Sequence, residues 1–188
     1  AEIPVAASPR TVAIAPDGRR IAFLGSGGGT PARVFVGSLD TFDTQPGGGT
    51  DGAEGPFWSP DSRSPGFFAH GKLKIVDLAG GPPRTVTDSG LDSRGGTRPP
   101  DGTILFAPAN GALTRVSASG GPASPASRLD ESRGETSHRF PSFLPDGRHF
   151  LFTAKHWAGL AETGTQGIYI GSMDEPSASR QLLAELSN

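Results

Sequence analysis

The sequence predicts an all-β fold: a β-propeller of four-stranded antiparallel blades, about four in this chain, making a closed small propeller or an arc of a larger one. Three observations predict it. A Pro-Asp pair recurs at Pro16-Asp17, Pro60-Asp61, Pro100-Asp101 and Pro145-Asp146, spaced by 44, 40 and 45 residues, which is the period of propeller blades. Each copy is flanked by runs of five to eight residues that alternate apolar and polar, as in a strand with one buried face. Glycine and proline, 28 and 18 of 188 residues, fall between those runs rather than inside polar tracts, and so read as turns.

Each unit repeats one order of elements. An apolar segment enters the Pro-Asp turn ("TVAIAPDG", "PFWSPDS", "GTRPPDG", "FPSFLPDG"), and a second follows at once ("RRIAFLG", "RSPGFFA", "TILFAPA", "RHFLFTA"). A third comes after a Gly-containing gap ("ARVFVGSL", "KLKIVDL", "ALTRVSA", "GIYIGSM"), and a weaker fourth closes the unit. Four short strands per unit make one blade. The whole of 1–188 then forms one propeller region, with blades at about 10–50, 54–90, 95–130 and 138–188. The last run, "ASRQLLAELSN", reads as an outer strand or as the one plausible helix.

The Pro-Asp-Gly core explains itself as a hairpin turn. Proline presets φ near −65°, the Asp carboxylate accepts from backbone ahead of it, and Gly takes the positive φ of a tight turn. Asp17, Gly18, Asp61, Asp101, Gly102, Asp146 and Gly147 are therefore structural. In the second copy Ser62 replaces the Gly, which predicts a different turn type or some strain. Pro65, inside the second strand of that unit, predicts a bulge or a locally unpaired strand. In unit three, Arg98-Pro99 stands where the other units have an aromatic or apolar residue, weakening the innermost strand. The aromatics beside the turns, Phe23, Trp58, Phe67, Phe68, Phe106, Phe143, Phe150 and Phe152, are expected to pack blade on blade.

Charge is balanced, with 17 Lys+Arg against 19 Asp+Glu in no blocks, so no basic stripe points to nucleic acid. No cysteine is present, which removes disulfides and thiolate chemistry. No run has the length of a membrane-spanning helix. The start, "AEIPVAASPR", has neither an initiator Met nor the layout of a signal peptide, and reads as an excerpt.

"PFWSPDSRSPGFFAHGKLKIVDLAGGPPRTVTD" and "GETSHRFPSFLPDGRHFLF" resemble the WD40-like propeller repeats of the TolB type, with their "WSPDG-x-x-IAF" heart. Within that family they look most like the C-terminal extracytoplasmic propellers of bacterial membrane-anchored serine/threonine kinases. The resemblance spans nearly the whole chain and implies a non-catalytic binding module, the sensor or scaffold part of a larger protein. It implies an extracytoplasmic location and a protein or peptide partner. It equally includes propellers of prolyl-oligopeptidase-like peptidases and metal-dependent polysaccharide lyases, so an enzyme fragment is the alternative. Family members usually carry six or more blades, against four units here. Closure then requires "AEIPVAASP" to donate an outer strand to the last blade, or an open face and oligomerisation follow.

No catalytic, cofactor or metal residues are expected. Ser38 and Ser172 lack the second glycine of a nucleophile elbow, and "GSGGGT" (25–30), read as a mobile hairpin, lacks the Lys-Ser/Thr of a phosphate loop. His70, His138, His149 and His156 show no metal-ligand spacing. The strongest polar cluster is "RLDESRGETSHRF", where Asp130, Glu131, Arg133, Glu135, His138 and Arg139 crowd the loop before the fourth unit's first strand. It reads either as a partner-binding mouth or as a hydrogen-bonded loop in which Glu135, His138 and Arg139 fix the blade junction. The hairpin "KHWAGLAETGTQG" adds Lys155, His156 and Trp157 as a second partner-binding patch.

Overall fold

The computed structural model describes residues 12–26, 29–41, 43–156 and 167–184. Among these described residues sixteen strands form four four-stranded sheets, each pairing in chain order. Blade 1 holds β1 (Val12–Ile14), β2 (Arg20–Gly25), β3 (Arg33–Ser38) and β4 (Thr44–Pro46). Blade 2 holds β5 (Glu54–Trp58), β6 (Pro65–Ala69), β7 (Lys72–Ile75) and β8 (Arg84–Asp88). Blade 3 holds β9 (Gly96–Thr97), β10 (Thr103–Phe106), β11 (Thr114–Ser117) and β12 (Ser124–Pro125). Blade 4 holds β13 (Ser137–Phe143), β14 (His149–Lys155), β15 (Gly167–Ser172) and β16 (Ser179–Ala184). All pairings within blades are antiparallel. The closing run at 179–184 is a strand, not a helix. β9 has two residues, as the Arg98-Pro99 substitution predicts. The expected N-terminal closing strand, and Gly27 and Gly28 of the glycine-rich hairpin, lie outside the described residues.

The four Pro-Asp turns share one geometry. In each, the Asp Oδ1 accepts from the backbone N–H two residues on: Arg19 at 2.9 Å, Arg63 at 3.1 Å, Thr103 at 2.7 Å and Arg148 at 2.9 Å. Gly18, Gly102 and Gly147 take φ of 70°, 84° and 66°. Ser62 takes the same conformation at φ 58°, so the turn type does not change; the residue is held in it. The turns also meet one another. The Asp17 N–H donates to Ser62 Oγ, Arg20 Nη1 donates to the Ser62 carbonyl at 3.1 Å, and Gly147 packs on Pro99 and Pro100.

Three apolar cores join the blades. Ala22, Leu24 and Val34 pack on Trp58, Phe67 and Ala69 between blades 1 and 2. Phe57, Phe68 and Leu73 pack on Ile104, Phe106 and Val116 between blades 2 and 3. Leu105, Ala107 and Leu113 pack on Phe150, Phe152 and Tyr169 between blades 3 and 4. Trp58 also donates from Nε1 to the Ala13 carbonyl at 2.9 Å, tying neighbouring innermost strands. Among the described residues no core joins blade 4 back to blade 1, so the described blades form an arc. Phe23 is buried but faces away from blade 2, stacked on Phe35 with ring centroids 5.6 Å apart.

Pro65 is not the bulge its position predicts. It begins β6, in register with Trp58, and its carbonyl accepts from the Val76 N–H at 3.1 Å. A first strand position needs no donor from proline. The bulge lies across the ladder in β5, between Glu54 and Phe57, with Gly55 at φ 52°. β13 repeats it between Arg139 and Ser142, where Phe140 takes φ 54°.

Candidate functional site

The loop entering blade 4 is built from a single helical turn, Glu131–Arg133. Asp130 caps it by accepting from Ser132 N–H at 3.0 Å, and Gly134 ends it at φ 67°. Arg133 Nε lies 2.6 Å from Asp130 Oδ2, and its Nη1 donates to Tyr169 Oη at 3.1 Å while the guanidinium sits 5.5 Å over the ring centre. Hydrogen bonds from Ser132 and then Arg133 hold the Asp130 carboxyl down to about 2.

Beneath that turn lies a buried chain of hydrogen bonds. Leu113 N–H donates to Ser127 Oγ at 2.8 Å, Ser127 Oγ lies 2.7 Å from His138 Nδ1, and His138 Nε2 lies 3.0 Å from Glu135 Oε2. Glu135 Oε2 also accepts from Asp130 N–H at 2.7 Å. Burial pushes the His138 imidazolium down, against the opposing pull of Glu135, so the ring is neutral near pH 7. The network then assigns the protons: Ser127 donates to Nδ1, and Nε2–H donates to Glu135.

Serine, histidine and glutamate here are the residue types of a hydrolase triad, but with the two ring nitrogens exchanged relative to that arrangement. Ser127 is 6% exposed and its Oγ already accepts from backbone. The chain's work is to fasten blade 3 to blade 4. The Gly111 hairpin adds to the same joint, since Gly111 N–H donates to the Thr136 carbonyl and His138 N–H donates to the Gly111 carbonyl, both at 2.9 Å.

The seven residues singled out from sequence thus divide. His138 and Arg139 are buried and the Glu135 side chain is 6% exposed, with Arg139 donating from Nε to Ser137 Oγ at 3.0 Å. Of the three that the loop-fixing reading groups, His138 and Glu135 are hydrogen-bonded to each other and Arg139 donates to Ser137. Arg133, Lys155 and His156 lie at the rim, partly exposed, with His156 Nδ1 hydrogen-bonded to the Gly134 carbonyl. Trp157 and the hairpin beyond it, 157–166, lie outside the described residues. No cluster of metal-ligating side chains occurs among the described residues.

The residue that sequence reading passed over is Phe140. It is 42% exposed on the innermost strand and holds a left-handed φ at the β13 bulge. A bulky side chain in that region is strained. Aligning units on Pro-Asp reveals it: Gly55-Pro56 of blade 2 sits where blade 4 has Phe140-Pro141. A concavity of about 680 Å³ lies between blades 1 and 2 against Val34, Val36, Val76 and Leu78. It shares Arg20 and Asp77 with a hollow of about 530 Å³ by Asp17 and Asp61. Asp17, Asp61 and Asp77 each accept from backbone of their own turns.

No family model and no curated protein matches the chain. Solved structures do. A TolB-type protein from Agrobacterium tumefaciens superposes with TM-score 0.77 at 14% identity, over 97% of this chain and 69% of that one. The fold is that of a TolB-like propeller. TolB from Acinetobacter baumannii matches with TM-score 0.72 at 17% identity, over 98% of this chain and 45% of that one. The propeller domain of the Trilobed protease from Pyrococcus furiosus matches with TM-score 0.59 at 12% identity, over 98% and 59%. The chain therefore spans about two thirds of the first neighbour's length and less of the other two. Identities this low carry the fold; the same blades occur in TolB and in a protease, and fold and function separate.

Proposed function

We propose that this chain is a non-catalytic binding module that presents the loop end of blade 4 to a protein or peptide. Phe140 carries the reading. A folded chain relieves left-handed strain at a bulge by placing glycine there, as blade 2 does with Gly55; keeping an exposed phenylalanine instead fits selection for the side chain. Aromatic anchors on a rigid frame, ringed by polar groups, are the usual centre of a recognition surface. Here the frame is the Ser127–His138–Glu135 network, and Arg133, Lys155 and His156 supply polar groups at the rim. Location outside the cytoplasm and attachment to a membrane-anchored kinase are supported by the sequence resemblance to such propellers. In that setting a partner bound outside biases the state of the kinase inside.

The test is selection of random peptides on the immobilised chain, followed by binding to Phe140→Ser and to Leu91→Ser, a control at a residue 73% exposed elsewhere. Enriched peptides should lose at least about tenfold in affinity for Phe140→Ser, an anchor's worth, and none for Leu91→Ser. Failure to enrich any peptide, or equal binding by both variants, removes the reading.

A further inference from the structure

The joints between blades can be compared residue by residue. In or just before the third strand of blades 1, 2 and 3 stands a fully buried residue that packs toward the following blade: Val34, Leu73 and Leu113. Two residues further on, alternation returns to the same face. The rows found there are Val36 beside Gln45 in blade 1, Ile75 beside Arg84 in blade 2 and Arg115 beside Ser124 in blade 3. Hydrogen bonds mark the same match, since Val34 N–H donates to Thr50 Oγ1 as Leu113 N–H donates to Ser127 Oγ. The facing blade is equally regular. Its third strand ends at Leu78, Ala118 or Met173, whose N–H donates to the carbonyl of Arg63, Gly102 or Arg148 at the Pro-Asp turn.

Two of the three joints are closed by an arginine. Arg84 Nη2 donates across to the Ala118 carbonyl at 2.5 Å, and Arg115 Nη1 donates across to the Met173 carbonyl at 3.2 Å. In the joint of blades 1 and 2 the corresponding positions are Val36 and Gln45, and neither carries a guanidinium. The concavity of about 680 Å³ lies at this joint, with Leu78 in its wall. Val34, Val36, Val76 and Leu78 present apolar surface to a methylene stem. Asp43 and Asp77 stand exposed at the rim, and the adjoining hollow adds Asp17 and Asp61. These carboxylates outnumber Arg20 and Arg63, and Arg20 Nη1 already donates to the Ser62 carbonyl. An apolar stem ending in a planar cation is what such walls fit.

We propose that this joint takes from outside the arginine it lacks: it binds an arginine side chain of a protein or peptide partner. The stem lies on the valines, and the guanidinium is directed to the Leu78 carbonyl and the rim carboxylates. The inference is independent of the partner-binding reading, since it uses neither Phe140 nor the loop end of blade 4.

The experiment is an amide-resolved NMR titration of the whole chain with the capped tripeptide acetyl-Gly-Arg-Gly-amide. Saturable shifts should appear at Val36, Val76 and Leu78. The same peptide with citrulline for arginine, uncharged but of equal shape, should bind at least about tenfold more weakly. Free L-arginine should bind no more tightly than the tripeptide, because the rim repels its α-carboxylate. Gln45→Arg sets an arginine at the position of Arg84, so it should abolish tripeptide binding and raise the urea midpoint. Asp43→Asn combined with Asp77→Asn tests the site should Gln45→Arg fold poorly, and should weaken binding about three- to fivefold. No saturable shift in wild type overturns the proposal. Equal binding of the citrulline peptide, or wild-type affinity in folded Gln45→Arg or in the double Asn variant, overturns it as well. Tighter binding of free arginine overturns it in favour of a site for the amino acid.

Discussion

Ser62 in blade 2 takes a left-handed φ of 58° and its Oγ accepts the Asp17 N–H of blade 1 at 3.0 Å. The strained residue and the inter-blade hydrogen bond are one feature. Ser62→Ala keeps the strain and deletes the bond, so it should destabilise by about 1 kcal/mol. Ser62→Gly deletes the bond but also relieves about 1 kcal/mol of left-handed strain, and should fall within about 0.5 kcal/mol of wild type after the entropy of a freer unfolded chain. Urea midpoints at constant m compare the two. Glycine as damaging as alanine would mean that Ser62 is not strained.

Burial sets the pH response of His138. Its folded-state pKa is depressed below the ordinary 6.5, so at pH between the two values the unfolded chain binds a proton that the folded chain refuses. Stability is therefore full above pH 6.5 and is lost as pH falls from there through the folded value. Asp130, held to about 2, and Asp146, held low chiefly by His149, weaken the fold only at more acid pH. Melting temperatures from pH 7.5 to 5 should fall for wild type and stay flatter for His138→Gln. Parallel curves would assign the slope to other groups.

Phe57 shows packing that no periodicity reveals. A Cβ at Gly66 would stand 2.3 Å from Phe57 Cζ, and one at Gly96 would stand 2.7 Å from Cε1. The ring thus wedges between glycines of β6 and β9, and the blades approach because neither position has a side chain. Gly66→Ala and Gly96→Ala should each cost about 1–3 kcal/mol by overpacking. Phe57→Leu should recover part of that loss in either background, which a double-mutant cycle measures. Additive losses would place the clash elsewhere.

The blades were legible because their turn is chemically explicit: proline, a carboxylate accepting from two residues on, and a left-handed glycine, four times at one period. The aromatic packing followed from alternation, and Phe67, Phe68, Phe106, Phe150 and Phe152 all stand in the blade cores. What depends on partners distant in sequence was hidden. Nothing local to Gly66 or Gly96 announces a ring between them, and nothing in "RGETSHRF" says that His138 is 1% exposed and pairs with Ser127. Pro65 misled because proline's missing donor matters only where a partner strand needs it, and at the head of β6 none does.

Phe140 and Gly55 form a controlled pair, since both head the same bulge at φ 54° and 52°. If Phe140 is kept for its side chain at the expense of backbone strain, removing it should not weaken the fold. Phe140→Gly exposes no core, because the side chain is already 42% exposed, and it trades about 1 kcal/mol of strain against a similar gain in unfolded-chain entropy. The reciprocal change, Gly55→Ala, imposes strain with no gain and brings a Cβ to 3.5 Å from the Phe68 ring. Chemical denaturation should therefore find Phe140→Gly within about 0.5 kcal/mol of wild type and Gly55→Ala lower by about 1 kcal/mol. A loss of about 2 kcal/mol or more in Phe140→Gly would make the ring a structural plug of the kind that large-to-small core changes reveal. The strain would then be offset by packing, and the anchor reading of this residue would go with it.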